Sequence, residues 1–205
     1  AFGGDYDLPN DTAYAETCAA IGLALWNHRM ANLHAEGRFA DVLERAMYNG
    51  ALSGVSLDGS KFFYVNPLAS RGAAHRQPWF GCACCPSNVV RFLPQIGGYV
   101  YATGGDGAWV HLYVGSTGKM SVGGRTVTLK QETKYPWEGF VKIAVEPAEA
   151  ATFALYLRIP AWAEVFTIQV NGEPITPQVV AGYVRIVRQW QAGDVVELDL
   201  PMSPQ

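Results

Sequence analysis

The sequence predicts an α+β chain, mainly helical over residues 1–99 and an all-β sandwich over residues 100–205. Three observations predict it. Residues 1–100 contain six valines and residues 101–205 contain fourteen, and a side chain branched at Cβ suits a pleated sheet better than a helix. The first half carries two stretches of helical periodicity. The second alternates apolar and polar residues between Gly-bearing turns.

The first helix is expected from about Thr12 to Leu33, with Asp11 or Thr12 as its cap. Its run Ala19-Ala20-Ile21-Gly22-Leu23-Ala24-Leu25-Trp26 has no polar face, which predicts burial on every side. A second helix, near Arg38 to Ala51, places Phe39, Val42, Leu43, Ala46, Met47 and Gly50 on one face, with Asp41, Glu44, Arg45 and Tyr48 opposite. It reads as amphipathic, and Gly50 or Gly54 can end it. The stretch from Lys61 to Pro67 reads as a short strand beside a turn at Gly59. A third helix is expected from about Pro86 to Gln95, opened by proline and stopped before Gly97-Gly98.

Beyond Tyr99 the period changes. Phe153, Leu155, Leu157 and Ile159 alternate with Thr152, Ala154, Tyr156 and Arg158, and Phe166, Ile168 and Val170 lead into Asn171-Gly172. Asn-Gly is the strongest short hairpin signal. A last strand is expected over Val196 to Leu200, and no helix in this half.

Composition excludes several classes. With 49% hydrophobic and 16% charged residues among 205, and a net charge of −3, the chain has neither the polarity of a disordered segment nor the basic stripe of a nucleic-acid binder. No run reaches the roughly 18 apolar residues of a membrane span. Neither nucleic acid nor membrane is therefore an expected partner. No basic leader or apolar signal stretch opens the chain as given, and its opening at Ala1-Phe2-Gly3-Gly4-Asp5 reads as the start of a fragment or processed piece.

Four cysteines, Cys18, Cys82, Cys84 and Cys85, carry the functional signal, three of them within four positions. Two disulfides, inert buried thiols, and a metal or reactive site are all open readings. Bridging neighbours such as Cys84 and Cys85 requires strained geometry, so clustering favours the third. Glu16 adds a carboxylate two residues before Cys18, and thiolates with an occasional carboxylate suit zinc. The spacing is not that of a zinc finger. Residues i and i+2 lie on opposite sides of a helix, so the first helix either begins near Cys18 or has a distorted first turn.

The phrases Phe2-Gly3 through Tyr6-Asp7-Leu8-Pro9-Asn10, Ala13-Tyr14-Ala15-Glu16-Thr17-Cys18-Ala19, and Trp79-Phe80-Gly81-Cys82-Ala83-Cys84-Cys85-Pro86-Ser87-Asn88 with Arg91 resemble glycoside hydrolase family 127, the β-L-arabinofuranosidases, over residues 1 to about 101. The resemblance implies the C-terminal part of an (α/α)6 barrel followed by a β-sandwich. It implies a zinc-bound cysteine nucleophile and retaining hydrolysis of terminal β-L-arabinofuranosides or related pentofuranosides, so the expected partner is an arabinofuranoside-containing glycan. Glu16, Cys18, Cys84 and Cys85 would hold Zn2+, with Cys84 also the nucleophile, and Glu44 and Tyr64 would line the sugar pocket. The family's acid/base glutamate falls just ahead of Ala1, and only about three of twelve barrel helices are present. Little or no activity is therefore expected of the chain by itself.

Each residue also has a plainer reading. Glu44, on the polar side of its helix, would be a solvated charge, and Tyr64 would be packing in a strand. Cys82 is expected as a small buried residue. His28, His34, His75 and His111 form no ligand spacing, and the Gly104 to Gly107 and Gly123-Gly124 stretches read as turns. Trp109, Trp137, Trp162 and Trp190 are expected in the sandwich core rather than as sugar platforms. The competing function is a non-catalytic, zinc-stabilised helical segment with a carbohydrate-binding or scaffolding sandwich. Reduced thiols point to the cytoplasm.

Overall fold

A computed structural model describes residues 4–202 of the chain, apart from 8, 11 and 106. Asp11, offered above as a cap, and the Phe2-Gly3 pair lie outside the described residues. The chain divides into two compact units, residues 1–33 with 41–96, and residues 34–40 with 97–205. Among the described residues no helix is long and apolar enough to cross a membrane.

Helix α1 spans Thr17–His34, five residues shorter at its start than expected. Tertiary pairing overrides local propensity there: Asn66 N donates to Ala15 O at 2.8 Å, and Glu16 forms a β-bridge with Val65. Residues 15 and 16 are thus held extended, and the helix begins beyond them. The expected burial on all sides does not hold either. Thr17, Ile21, Ala24, Asn27 and Ala31, at helical spacing, are buried, whereas Trp26 on another face is 64% exposed.

Helix α2 spans Gly37–Ala46, continues as a wide π turn over Met47–Ala51 and closes in a 3-10 turn over Leu52–Gly54. Gly54 therefore ends the helical run, and Gly50 serves another purpose. A Cβ on Gly50 would stand 2.4 Å from Ala20 Cβ in α1, so glycine permits the two backbones to touch. Gly50→Ala is expected to destabilise the protein by about 1–3 kcal/mol, the cost of overpacking a fixed contact, as read from its urea midpoint.

Residues 61–67 form isolated bridges, Val55 and Gln77 each with Phe62, and not a regular strand. Gly59 sits at φ 71 in the adjoining turn. Helix α3 spans Cys84–Phe92 and runs into a 3-10 stretch over Leu93–Tyr99. It starts two residues before Pro86, which occupies the first turn where its missing N–H costs nothing. Gly97 and Gly98 lie inside the 3-10 stretch and do not stop it.

No helix follows residue 99 among the described residues. The strands are β1 (Tyr101–Gly104), β2 (Gly107–Val110), β3 (Ser116–Val122), β4 (Arg125–Thr133), β5 (Phe140–Pro147), β6 (Ala151–Arg158), β7 (Thr167–Val170), β8 (Glu173–Ile175), β9 (Val179–Val180), β10 (Tyr183–Trp190) and β11 (Asp194–Asp199). One sheet has the order β1-β2-β6-β10-β9 and the other β3-β4-β5-β11-β7-β8. All pairs are antiparallel except β2 with β6, which runs parallel from Gly107↔Ala154 to Val110↔Leu157. Inward residues of both sheets, among them Val127, Leu129, Ile143, Leu155, Leu157, Ile168 and Leu198, share one core.

Among the described residues, three two-residue hairpin turns follow the rule that both central residues adopt positive φ. They are Gly123-Gly124, Asn171-Gly172 and Ala181-Gly182, with φ between 51 and 82°. Asn171 also ties its hairpin to β11, accepting from Val195 N at 2.8 Å. Trp190 is fully buried and donates to Phe153 O at 3.1 Å. The core expectation fails for two other tryptophans. Trp137 is 88% and Trp162 38% exposed; both sit in connections between strands, outside the alternation that turns every second side chain inward.

Candidate metal and nucleophile site

Residues 63–66 act as the template on which the site is built. Tyr64 O accepts from Thr17 N at 3.0 Å, and Phe63 O accepts from Thr17 Oγ1 at 2.9 Å. Asn66 Nδ2 donates to Thr17 Oγ1 and to Gly50 O, both at 3.0 Å. These bonds fix Glu16 in extended backbone and Cys18 as the second residue of α1. The conflict between positions i and i+2 on a helix disappears, since only Cys18 is helical.

Ala83, at φ −88° and ψ 27°, precedes α3, so Cys84 and Cys85 are its first two residues. Glu16, Cys18, Cys84 and Cys85 offer one ligand atom each, all within 4.8 Å of one another. Cys84 Sγ lies 3.8 Å from Cys85 Sγ and 3.8 Å from Glu16 Oε1, and Cys85 Sγ lies 3.9 Å from that oxygen. Tetrahedral zinc with Zn–S near 2.3 Å requires sulfurs about 3.8 Å apart. The donor set and its spacing therefore fit zinc. Three sulfurs also argue against magnesium or calcium, which prefer oxygen.

The thiols differ electrostatically. Cys84 Sγ stands 3.3 Å from the Tyr64 hydroxyl. The thiol donates to that oxygen, and the thiolate accepts from it, which holds the Cys84 pKa below its ordinary value. Burial pushes the Cys85 and Cys18 thiols up. The Tyr64 hydroxyl is raised in turn, first by its bond to Cys84. Tyr64→Phe is expected to raise the pH midpoint of Cys84 alkylation in metal-free protein, because the donor that stabilises the thiolate is lost. Iodoacetamide labelling followed across pH measures it.

Of the residues expected at the site, Tyr64 lies against Cys84. Glu44 lies outside the four-residue group and is only 8% exposed, which corrects its reading as a solvated charge. The face opposite the apolar stripe of α2 is covered at this position. Cys82 is exposed, contrary to the expected burial, since it precedes the helix in open backbone. Sequence reasoning gave no role to Phe80, whose ring meets that of Tyr64 edge-on at 5.6 Å, or to Asn88, whose side chain favours the Cys18 thiolate against the larger effect of burial. Asn88 was findable: it follows Cys84 by four residues and so shares its helix face.

Residues 1–98 match the family description "Beta-L-arabinofuranosidase, GH127 catalytic domain", and residues 107–202 match "Beta-L-arabinofuranosidase, GH127 middle domain". A non-reducing end β-L-arabinofuranosidase of Bifidobacterium longum subsp. longum is 36% identical over 99% of this chain and 33% of its own length. Among solved structures, a GH127 β-L-arabinofuranosidase from Geobacillus stearothermophilus T6 superposes with a TM-score of 0.92 at 48% identity, covering 96% of this chain and 33% of that one. A second GH127 β-arabinofuranosidase gives 0.95 at 44% identity, covering 98% and 34%. The chain spans about a third of the length of these relatives.

Proposed function

Since the chain belongs to glycoside hydrolase family 127, we propose that it is part of a retaining glycosidase acting on terminal β-L-arabinofuranosides or related pentofuranosides, with Cys84 as nucleophile. The observation that carries this reading is the placement of Cys84 at the start of α3, half-buried, against the Tyr64 hydroxyl and inside a group of three thiols and one carboxylate. Glu16, Cys18, Cys84 and Cys85 would hold zinc. Bound there, zinc supplies a thiolate at neutral pH by taking the place of the thiol proton.

This chain's own groups supply the nucleophile. Cys84 sulfur attacks the anomeric carbon, and a C–S bond forms as the glycosidic C–O bond breaks, the departing alcohol taking a proton from the general acid that the family resemblance places outside this chain. Water then attacks the same carbon, the C–S bond breaks, and the water's proton returns to that acid/base group. Two inversions give net retention. Tyr64 orients the sulfur and, with Glu44, would line the sugar pocket. In this reading residues 1–99 contribute to the catalytic domain and residues 100–205 form a sandwich domain. The substrate is carbohydrate and the setting cytoplasmic.

A sugar-like electrophile, such as a bromoacetyl arabinofuranosylamine, tests the assignment on the full-length protein. Cys84 is expected to be labelled ahead of Cys85, as read by peptide mass. Equal protection of both thiols would instead favour a purely structural metal site.

A further inference from the structure

Of the four proposed ligands, three stand on helices and one does not. Cys18 belongs to α1, and Cys84 and Cys85 to α3, whose own hydrogen bonds hold their backbones. Glu16 lies just ahead of α1 in extended backbone. Its carboxylate stays 3.8 Å from Cys84 Sγ and 3.9 Å from Cys85 Sγ only while something else fixes that backbone. Asn66 brackets it. The Asn66 main-chain N–H donates to Ala15 O at 2.8 Å, on one side of Glu16, and the Asn66 side-chain amide donates to Thr17 Oγ1 at 3.0 Å, on the other. The same amide nitrogen donates to Gly50 O at 3.0 Å, in the π turn that follows α2.

We propose that Asn66 is a positioning residue of the metal site: acting through Thr17, its side-chain amide sets where Glu16 and the first turn of α1 stand relative to the α3 thiols. The polarity of the network demands an amide. Thr17 is 1% exposed, and its one hydroxyl proton is donated to Phe63 O at 2.9 Å. Its oxygen is left to accept, and Gly50 O can only accept. Position 66 must therefore supply two donors from one atom, which asparagine does and aspartate does not. A carboxylate there would face the Gly50 carbonyl with no proton between them. Gly54 adjoins the pair closely: a Cβ on it would stand 3.2 Å from Thr17 Oγ1 and 3.4 Å from Asn66 Oδ1.

On the zinc reading given above, on which this role rests, Asn66 is an outer partner of a metal ligand, and loss of such a partner weakens metal binding by about 10–100-fold. A purely structural Asn66 would behave differently. Its loss would lower Tm equally in metal-free and zinc-loaded protein, and the affinity of the folded protein for zinc would not change.

The test compares the full-length protein with its Asn66→Asp, Asn66→Ala, Thr17→Val and Thr17→Ser variants. Zinc Kd is read by competition with a chelator under reducing conditions, and Tm with and without zinc shows which variants are folded. The expected result is a Kd raised about 10–100-fold in Asn66→Asp, Asn66→Ala and Thr17→Val, while Thr17→Ser, which keeps the hydroxyl, binds zinc as the unaltered protein does. With cobalt in place of zinc, the visible bands of Asn66→Asp are expected to move from those of the unaltered protein, because the oxygen ligand is displaced while the sulfurs stay. Should Asn66→Asp not fold, Asn66→Ala and Thr17→Val carry the comparison. Unchanged zinc Kd in the folded variants, with Tm lowered equally in metal-free and zinc-loaded protein, would overturn the proposal and leave the metal reading standing. A loss in Thr17→Ser as large as in Thr17→Val would overturn it as well. Absence of zinc from the unaltered protein would overturn the metal reading and this role together.

Discussion

Cys84→Ser is expected to lower kcat of the full-length enzyme on an aryl β-L-arabinofuranoside by about a thousandfold or more. A nucleophile that forms the covalent bond acts only along the reaction coordinate, so its loss falls on kcat and kcat/KM together. Serine keeps the shape of the side chain but not its chemistry. Its hydroxyl holds its proton far more tightly than a thiol beside Tyr64 at 3.3 Å, and its oxygen is a poor ligand for a thiophilic metal. A variant with wild-type kcat would remove Cys84 from the chemistry. A raised KM with unchanged kcat would leave it only a role in binding.

Cys85→Ser is expected to empty the metal site, with zinc falling from about one per chain to near zero by elemental analysis, whereas Cys82→Ser should retain it. Removing a direct ligand should exceed the 10–100-fold loss of affinity seen when an outer partner is removed. The pH dependence follows from the direction of the shifts. Burial raises Cys18 and Cys85, so in metal-free protein both carry protons at neutral pH. Zinc binding must expel those protons, and its affinity is therefore expected to strengthen as pH rises toward their raised pKa values. Chelation should also lower Tm, since a ligand that binds only the folded state stabilises it. Zinc affinity independent of pH would contradict the thiolate site.

Much of the fold was legible because its signals are local. Asn171-Gly172 specifies its hairpin through the φ values of two residues, and the alternation from Thr152 to Ile159 specifies a strand through the period of the backbone. What local patterns missed was decided by distant partners. Thr12 to Glu16 has a plausible helical start, yet Val65 and Asn66 draw residues 15 and 16 into extended pairing. Glu44 reads as polar surface from α2 alone and is buried by chain that the pattern of α2 does not contain. The candidate site divides in the same way. That its four members belong together was suggested by residue type; how residues 68 positions apart meet, with Glu16 outside the helix that carries Cys18, required the template of residues 63–66.

The parallel pairing of β2 with β6 has a consequence for how the sandwich can be inherited. A hairpin cannot join parallel neighbours, and the chain between them is spent on β3, β4 and β5 of the opposite sheet. Later strands alternate between sheets as well, so no single cut divides the chain into one sheet and the other. Neither layer can be duplicated, exchanged or discarded as a continuous stretch of gene. The sandwich passes between proteins whole or not at all.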